Sequence, residues 1–249
     1  MLYGICLLSV VPVRNQPNED GALVTQLLYG DDFKIKEERK FWSRIKVTHD
    51  SFEGWVQNTQ ITQIEEETFD KIKDAAMALN RDLAAHITMH NGYVTPILLG
   101  SSVDIACFFE HQFEGNAPTV IASKEALMDT ALSYLNAPYL LGGKTPFGID
   151  CSGFTQMVYK INGYRLSRGT EKQSAQGTPL SFIEESEPGD LAFLDNKEGI
   201  IDHVGSILKD NYNIHAHGKV RIDRIDHTGI FNAETKRYSH KLRVIKKII

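Results

Sequence analysis

The stretch NAPYLLGGKTPFGIDCSGFTQMVYKING runs from a glycine-rich turn into Asp150 and Cys151, then into a segment with Phe154, Met157, Val158 and Ile161 at helical spacing. Asp150 stands where a helix N-cap belongs. The Cys151 thiol is therefore expected at a helix N-terminus, where unpaired N–H groups and the macrodipole favour a thiolate over a free thiol of pKa about 8.5. Most cysteines are merely small buried hydrophobes, and Cys6 and Cys107 lack any such capped helix start. A thiolate nucleophile also needs a base, and the base needs a partner that fixes its tautomer. His203 opens the strand-like run HVGSILK and His215 lies in YNIHAHG, with Lys209, Asp210 and Asn211 as the hairpin turn between them. Their interval is even, so an unbulged hairpin projects both imidazoles from one sheet face. His217 shares that parity, and spacing alone does not separate it from His215. His49, His86 and His240 read as surface histidines.

The elements that must hold these residues follow from periodicity. From Cys6 to about Ile64, short apolar runs (LLSVVPV, LVTQLLYG, FKIKEE, WSRIKVT, EGWVQ) alternate with turn clusters, the pattern of a small all-β barrel. Trp42 and Trp55 are expected to fill it. Phe69, Ile72, Ala76, Leu79 and Leu83 recur at helical intervals and predict an amphipathic linker helix over 68–85. Residues 86–120 resist assignment beyond some strand content, as an irregular or second barrel-like segment. Ser123 opens a further helix with Leu127, Ala131, Leu132 and Leu135 on one face. The expected domains are 1–64, 65–121 and 122–249.

A chain of 249 residues, 42% apolar and 24% charged, has the composition of a folded soluble protein with room for two modest cores. A net charge of -5 and the lack of any Lys/Arg-dense stripe argue against nucleic acid as a partner. Three cysteines with no CxxC spacing argue against zinc, a redox pair or a disulfide scaffold. The apolar start MLYGICLLSVVPVR lacks a basic n-region and a cleavage site and reads as a first strand. No apolar run reaches the roughly 18 residues of a membrane span. The expected location is cytoplasmic, or periplasmic if a leader precedes the chain, and a monomer without metal or cofactor is expected.

YLLGGKTPFGIDCSGF, then LSRGTEKQ, EPGDLAFL, HVG and IHAHGKV, in this order, resemble the NlpC/P60 cell-wall peptidases over about 123–249. The resemblance implies a papain-like α+β core with Cys151 as nucleophile, His203 as general base and His215 as third member. His217 stands where that family usually has Ser. GDDFKI, WSRIKV and FEGWV resemble the strands of a bacterial SH3 domain, and the pairing of the two resembles γ-D-glutamyl-L-diamino acid endopeptidases. Those enzymes cut cell-wall peptides that carry a free N-terminal L-Ala, such as murein tripeptide, and serve murein recycling. The resemblance implies that Asp150 holds the substrate amine, Ser152 and Thr170 line the substrate pocket, and Tyr139 forms the wall near the developing oxyanion. Thr170 replaces the usual Ser and keeps a hydroxyl. Phe52 replaces a Tyr that helps to hold the amine, and Phe has no hydrogen-bonding group. Rival expectations are an amidase or acyltransferase on the same core, and a non-catalytic wall-binding protein.

Overall fold

The computed structural model describes residues 2–120 and 122–249; Ile121, at the expected 121/122 boundary, and Met1, in the expected first strand, lie outside the described residues. The chain divides into two compact units, Met1–Ile121 with Leu141–Pro146, and Ala122–Leu140 with Phe147–Ile249. Among the described residues no helix is long and apolar enough to cross a membrane.

In the first unit, β1 (Leu2–Ile5), β2 (Val10–Arg14), β3 (Leu23–Leu28), β4 (Asp32–Glu38), β5 (Trp42–Val47), β6 (Glu53–Gln57) and β7 (Thr62–Ile64) form one sheet in the order β3-β2-β6-β5-β4-β1-β7. In β2, β4 and β5 alternate side chains face inward, and Val11, Val13, Phe33, Ile35, Ile45 and Val47 belong to its core. Trp55 is buried beneath the Arg39 guanidinium, 4.5 Å from the ring centre, whereas Trp42 is half-buried.

The helix expected over 68–85 is shorter and ends early. α1 spans Glu66–Asp74 and buries only Phe69 and Ile72. Beyond it the backbone takes partners across the unit: Val103 N–H donates to Ala78 O, Asn80 N–H to Ser101 O, and Gly100 N–H to Asn80 O, each at 2.9 Å. Leu79 is buried by that extended pairing, while Ala76 and Leu83 are exposed, so their helical spacing is coincidental. β8 (Ala84–Thr88), β9 (Val94–Leu98) and β10 (Gln112–Glu114) then form a three-stranded sheet in the order β10-β8-β9. Ile87 and Ile97 of this sheet share a core with Ile5, Tyr29 and Ile72, which gives residues 86–120 a packed structure.

The second unit begins with α2 (Ala126–Ser133), α3 (Cys151–Ile161) and α4 (Thr170–Ser174). Ser123 Oγ accepts from Ala126 N–H at 3.3 Å and opens α2. The buried face of α2 is Leu127, Thr130 and Ala131, and Leu132 and Leu135 are partly exposed, because the helix ends at Ser133. α3 is buried all round, as expected of a helix inside a domain rather than on its surface. The strands are β11 (Thr178–Leu180), β12 (Leu191–Asp195), β13 (Ile201–Ile207), β14 (Tyr212–His217), β15 (Lys219–Ile225), β16 (Gly229–Asn232) and β17 (Arg237–Lys247). Their order is β11-β17-β12-β13-β14-β15-β16, and the long β17 also pairs with β16, so the sheet closes on itself. α3 packs on β13 and β14.

Candidate active site

The thiol is placed by the first turn of α3. Asp150 is its extended N-cap, and Oδ1 accepts from Gly153 N–H at 2.6 Å. Arg168 grips the same carboxylate with both terminal nitrogens, at 2.9 Å to Oδ1 and 2.6 Å to Oδ2, and also donates to Ser152 Oγ. Gln173 ties the turn further, donating to Ser152 O at 2.9 Å and to Ser167 O at 2.8 Å. The RGTEKQ segment thus clamps the start of α3 from outside. Cys151 Sγ lies 3.8 Å from the carbonyl oxygen of Asp202, next to His203 in the chain. Burial, and then the Asp150 charge, push the thiol up to about 12, against the nearby N–H groups and Arg168. Burial therefore works against the thiolate that the helix position favours.

β13 and β14 form the hairpin that carries the histidines, with Asp210 and Asn211 in the left-handed region at φ 60° and 59° to make the turn. Gly205 pairs with His215 and Ile207 with Asn213, so positions 203 and 215 share a face. His203 Nε2 lies 2.8 Å from His215 Nδ1, and His215 Nε2 lies 3.1 Å from Asp223 Oδ2. Arg221 donates to Asp223 through Nε at 2.6 Å and Nη2 at 3.0 Å. This order fixes the tautomers. The Asp223 carboxylate only accepts, so His215 carries its proton on Nε2 and presents a bare Nδ1. His203 then donates from Nε2, which leaves the lone pair on its own Nδ1. Burial, followed by the neighbouring His215, His240 and His217, holds the proton affinity of His203 well below the usual histidine value. Burial also lowers His215, with Asp223 opposing it.

His217 is exposed and its ring centre is 6.2 Å from that of His203. It is His215 that bonds to His203, which separates the two histidines that parity left equivalent. His240, expected at the surface, instead stacks on His203 at 4.1 Å between ring centres and 17° between planes. The long β17 returns beside β12 and brings it there. Sequence reading also missed Asp223 and Arg221. Their signal was the tight HAHGKVRID hairpin, in which His215 pairs with Arg221 and Asn213 with Asp223.

The remaining expected site residues are distributed more widely. Ser152 is buried, with its hydroxyl engaged by Asp150 and Arg168. Tyr139 is 41% exposed, and burial, followed by Cys151 and Asp150, raises its pKa. Thr170 is half-buried at the first position of α4. Phe52 belongs to the other unit, in the turn between β5 and β6, where it lines a surface pocket with Arg44 and Trp55. Among the described residues no group of three or more His, Cys, Asp or Glu side chains is arranged to hold a metal ion.

Residues 136–239 match the NlpC/P60 family, and residues 13–61 match the bacterial dipeptidyl-peptidase SH3 domain. The chain is 26% identical over 219 residues to the gamma-D-glutamyl-L-lysine dipeptidyl-peptidase of Bacillus subtilis (strain 168), covering 79% of this chain and 73% of that one. It is 37% identical over 109 residues to dipeptidyl-peptidase 6 of Lysinibacillus sphaericus, covering 43% of this chain and 35% of that one. The fold is that of an NlpC/P60 family protein from Bacillus cereus ATCC 10987, with a TM-score of 0.79, 18% identity and 99% of both chains covered.

Proposed function

We propose that the chain, a cysteine peptidase with an NlpC/P60 domain behind a bacterial SH3 domain, cleaves the γ-D-Glu to diamino-acid bond of cell-wall peptides with a free N-terminal L-Ala. In this reading Cys151 is the nucleophile, His203 the general base and His215 the residue that orients it. The observation that carries the reading is the chain of hydrogen bonds from Asp223 through His215 to His203, on the strand that faces the Cys151 sulfur. Burial disfavours both the thiolate and the imidazolium, so in this reading the pair rests neutral. Proton transfer from Sγ to His203 Nδ1 then accompanies attack on the carbonyl rather than preceding it. The protonated Nδ1 next donates to the leaving amine as the tetrahedral intermediate collapses to a thioester. Water, deprotonated by the same nitrogen, releases the acyl group and restores the thiol. Tyr139 is proposed to face the developing oxyanion, with Ser152 and Thr170 in the substrate pocket.

Selectivity for a free amine is supported by the dipeptidyl-peptidase names of the relatives. Asp150 is proposed to meet that amine while shared with Arg168. A role in recycling of wall fragments predicts that free tripeptide is cut faster than intact peptidoglycan. The test is to incubate the protein and its Cys151→Ala variant with L-Ala-γ-D-Glu-diaminopimelate and with its N-acetyl form. Release of L-Ala-γ-D-Glu by the native enzyme alone, at least a hundredfold faster from the free peptide, is expected, on the order of one buried charge partner lost. Equal rates on both peptides would remove the amine selectivity and leave the thiol chemistry standing. A transferred acyl group or a different cut would favour an acyltransferase or an amidase.

A further inference from the structure

We infer that the cavity beside His240 is the subsite for the leaving diamino acid and that Asp195 binds its side-chain ammonium; the inference rests on the peptidase reading above. The leaving amine takes its proton from His203, so the leaving residue must lie on the His203 side of the thiol. A cavity of about 900 Å³ opens there. Its wall includes Asp202, whose carbonyl faces the Cys151 sulfur, and His240, which lies flat on His203. Asp195, Lys197, Tyr238 and Lys241 line the rest of the part that matters here. The space falls within the roughly 300–1,000 Å³ of small-ligand sites and exceeds what one side chain fills.

Asp195 is the residue that gives the cavity a preference. It is only 6% exposed, and its Oδ1 meets no hydrogen-bond donor among the described residues. Its Oδ2 forms an ion pair with the largely exposed Arg243, 3.7 Å from Nη1 and longer than a hydrogen bond, which leaves Oδ1 for another donor. A buried carboxylate oxygen without a donor is costly unless something else supplies one. The strand register puts it close to the chemistry: Leu194 pairs directly with His203, and the ladder slips between Leu194 and Asp195, which re-aims the Asp195 side chain. A primary ammonium offers three donors and a positive charge, the complement of that oxygen. Lysine and diaminopimelate both carry such a group on an aliphatic chain, so Asp195 reads the feature they share.

The experiment compares L-Ala-γ-D-Glu-L-Lys with the same peptide ending in norleucine, which keeps the aliphatic chain and lacks the amine. The native enzyme is expected to prefer the lysine peptide in kcat/KM by about 10- to 100-fold, the usual worth of a charged hydrogen bond. Asp195→Asn should bring that ratio close to one. Asp195→Ser, smaller and neutral, repeats the measurement should the first variant fold poorly. Equal efficiencies in the native enzyme would overturn the subsite assignment and leave the peptidase reading intact. A preference that survives both variants would assign the ammonium to another group and overturn the role of Asp195. Cleavage of neither peptide would remove the peptidase reading and, with it, the premise of this inference.

Discussion

Asp150 and Asp223 are both buried carboxylates gripped by an arginine fork, Arg168 on the first and Arg221 on the second. Around Asp150 the bonds return to the first turn of α3. Its carboxylate caps α3, accepts from Ser152 and takes both ends of Arg168, whose side chain is 3% exposed. Around Asp223 they form an open chain. Arg221 reaches outward to Glu234 at 3.2 Å, and on the other side His215 leads to His203. Bonds that return to one helical turn fix where it sits, whereas a chain of them that ends on a base can hold a proton in a chosen place. Burial and ion pairing are therefore equal in the two, and the third partner decides the consequence.

Exchange of one oxygen for an amide at each site breaks this comparison most directly. In Asp223→Asn the new amide can donate to His215 Nε2, which forces the His215 proton onto Nδ1. His203 must then accept through Nε2 and carry its own proton on Nδ1, the atom that should receive the thiol proton. A fall in kcat of about 10³ to 10⁴, the scale of a wrong-tautomer defect in a related triad, is expected with KM little changed. Single-turnover acylation measures it directly. Unchanged kcat would remove the open-chain argument.

Asp150→Asn should act chiefly on stability. It removes the negative charge that faces the buried Arg168 guanidinium, at a cost of about 3–5 kcal/mol, read as a lowered urea midpoint at constant slope. The distinction matters because lost activity in this variant does not by itself establish amine binding. If Asp150→Asn kept its full midpoint and lost only the discrimination between free and acetylated peptide, the carboxylate would belong to substrate rather than to the fold.

How far each network was legible in sequence follows from its range. The Asp150 cap and Cys151 lie within one helical turn, and local pattern was enough to find them. His203 and His215 were legible because a hairpin converts chain distance into strand parity. His240 was not, since it joins the cluster only because β17 closes the sheet against β12 and β16. The same limit explains the shortened helix: Leu79 has a helix-like spacing to Ile72, but its burial comes from the distant Ser102 and Ser101 segment. Periodicity reports that a side chain is inward, not which partner makes it so.

The smallest expected effect concerns the histidines that touch the pair without bonding to it. Burial first, and then the neighbouring His217 and His215, lower His240 to about 4, and His203 and His215 are lowered as well. Each group is neutral in the fold at pH values where the unfolded chain takes up a proton. Stability is therefore fully present above the unfolded histidine value of about 6.5 and is lost as pH falls toward the lower folded values. Urea midpoints should drop from pH 7.5 to pH 5, and less steeply in His240→Phe, which keeps the ring stack without the titrating nitrogen. The acid limb of kcat/KM reports the base in the free enzyme. Since His240 and then His217 each disfavour a proton on His203, His240→Phe should move that limb to higher pH and His217→Ala should move it less in the same direction. The plateau rate of His217→Ala should stay within about tenfold of native, against losses of orders of magnitude in His215→Ala. Equal losses at 215 and 217 would mean that proximity to the base, rather than the hydrogen bond from Asp223, is what the reaction requires.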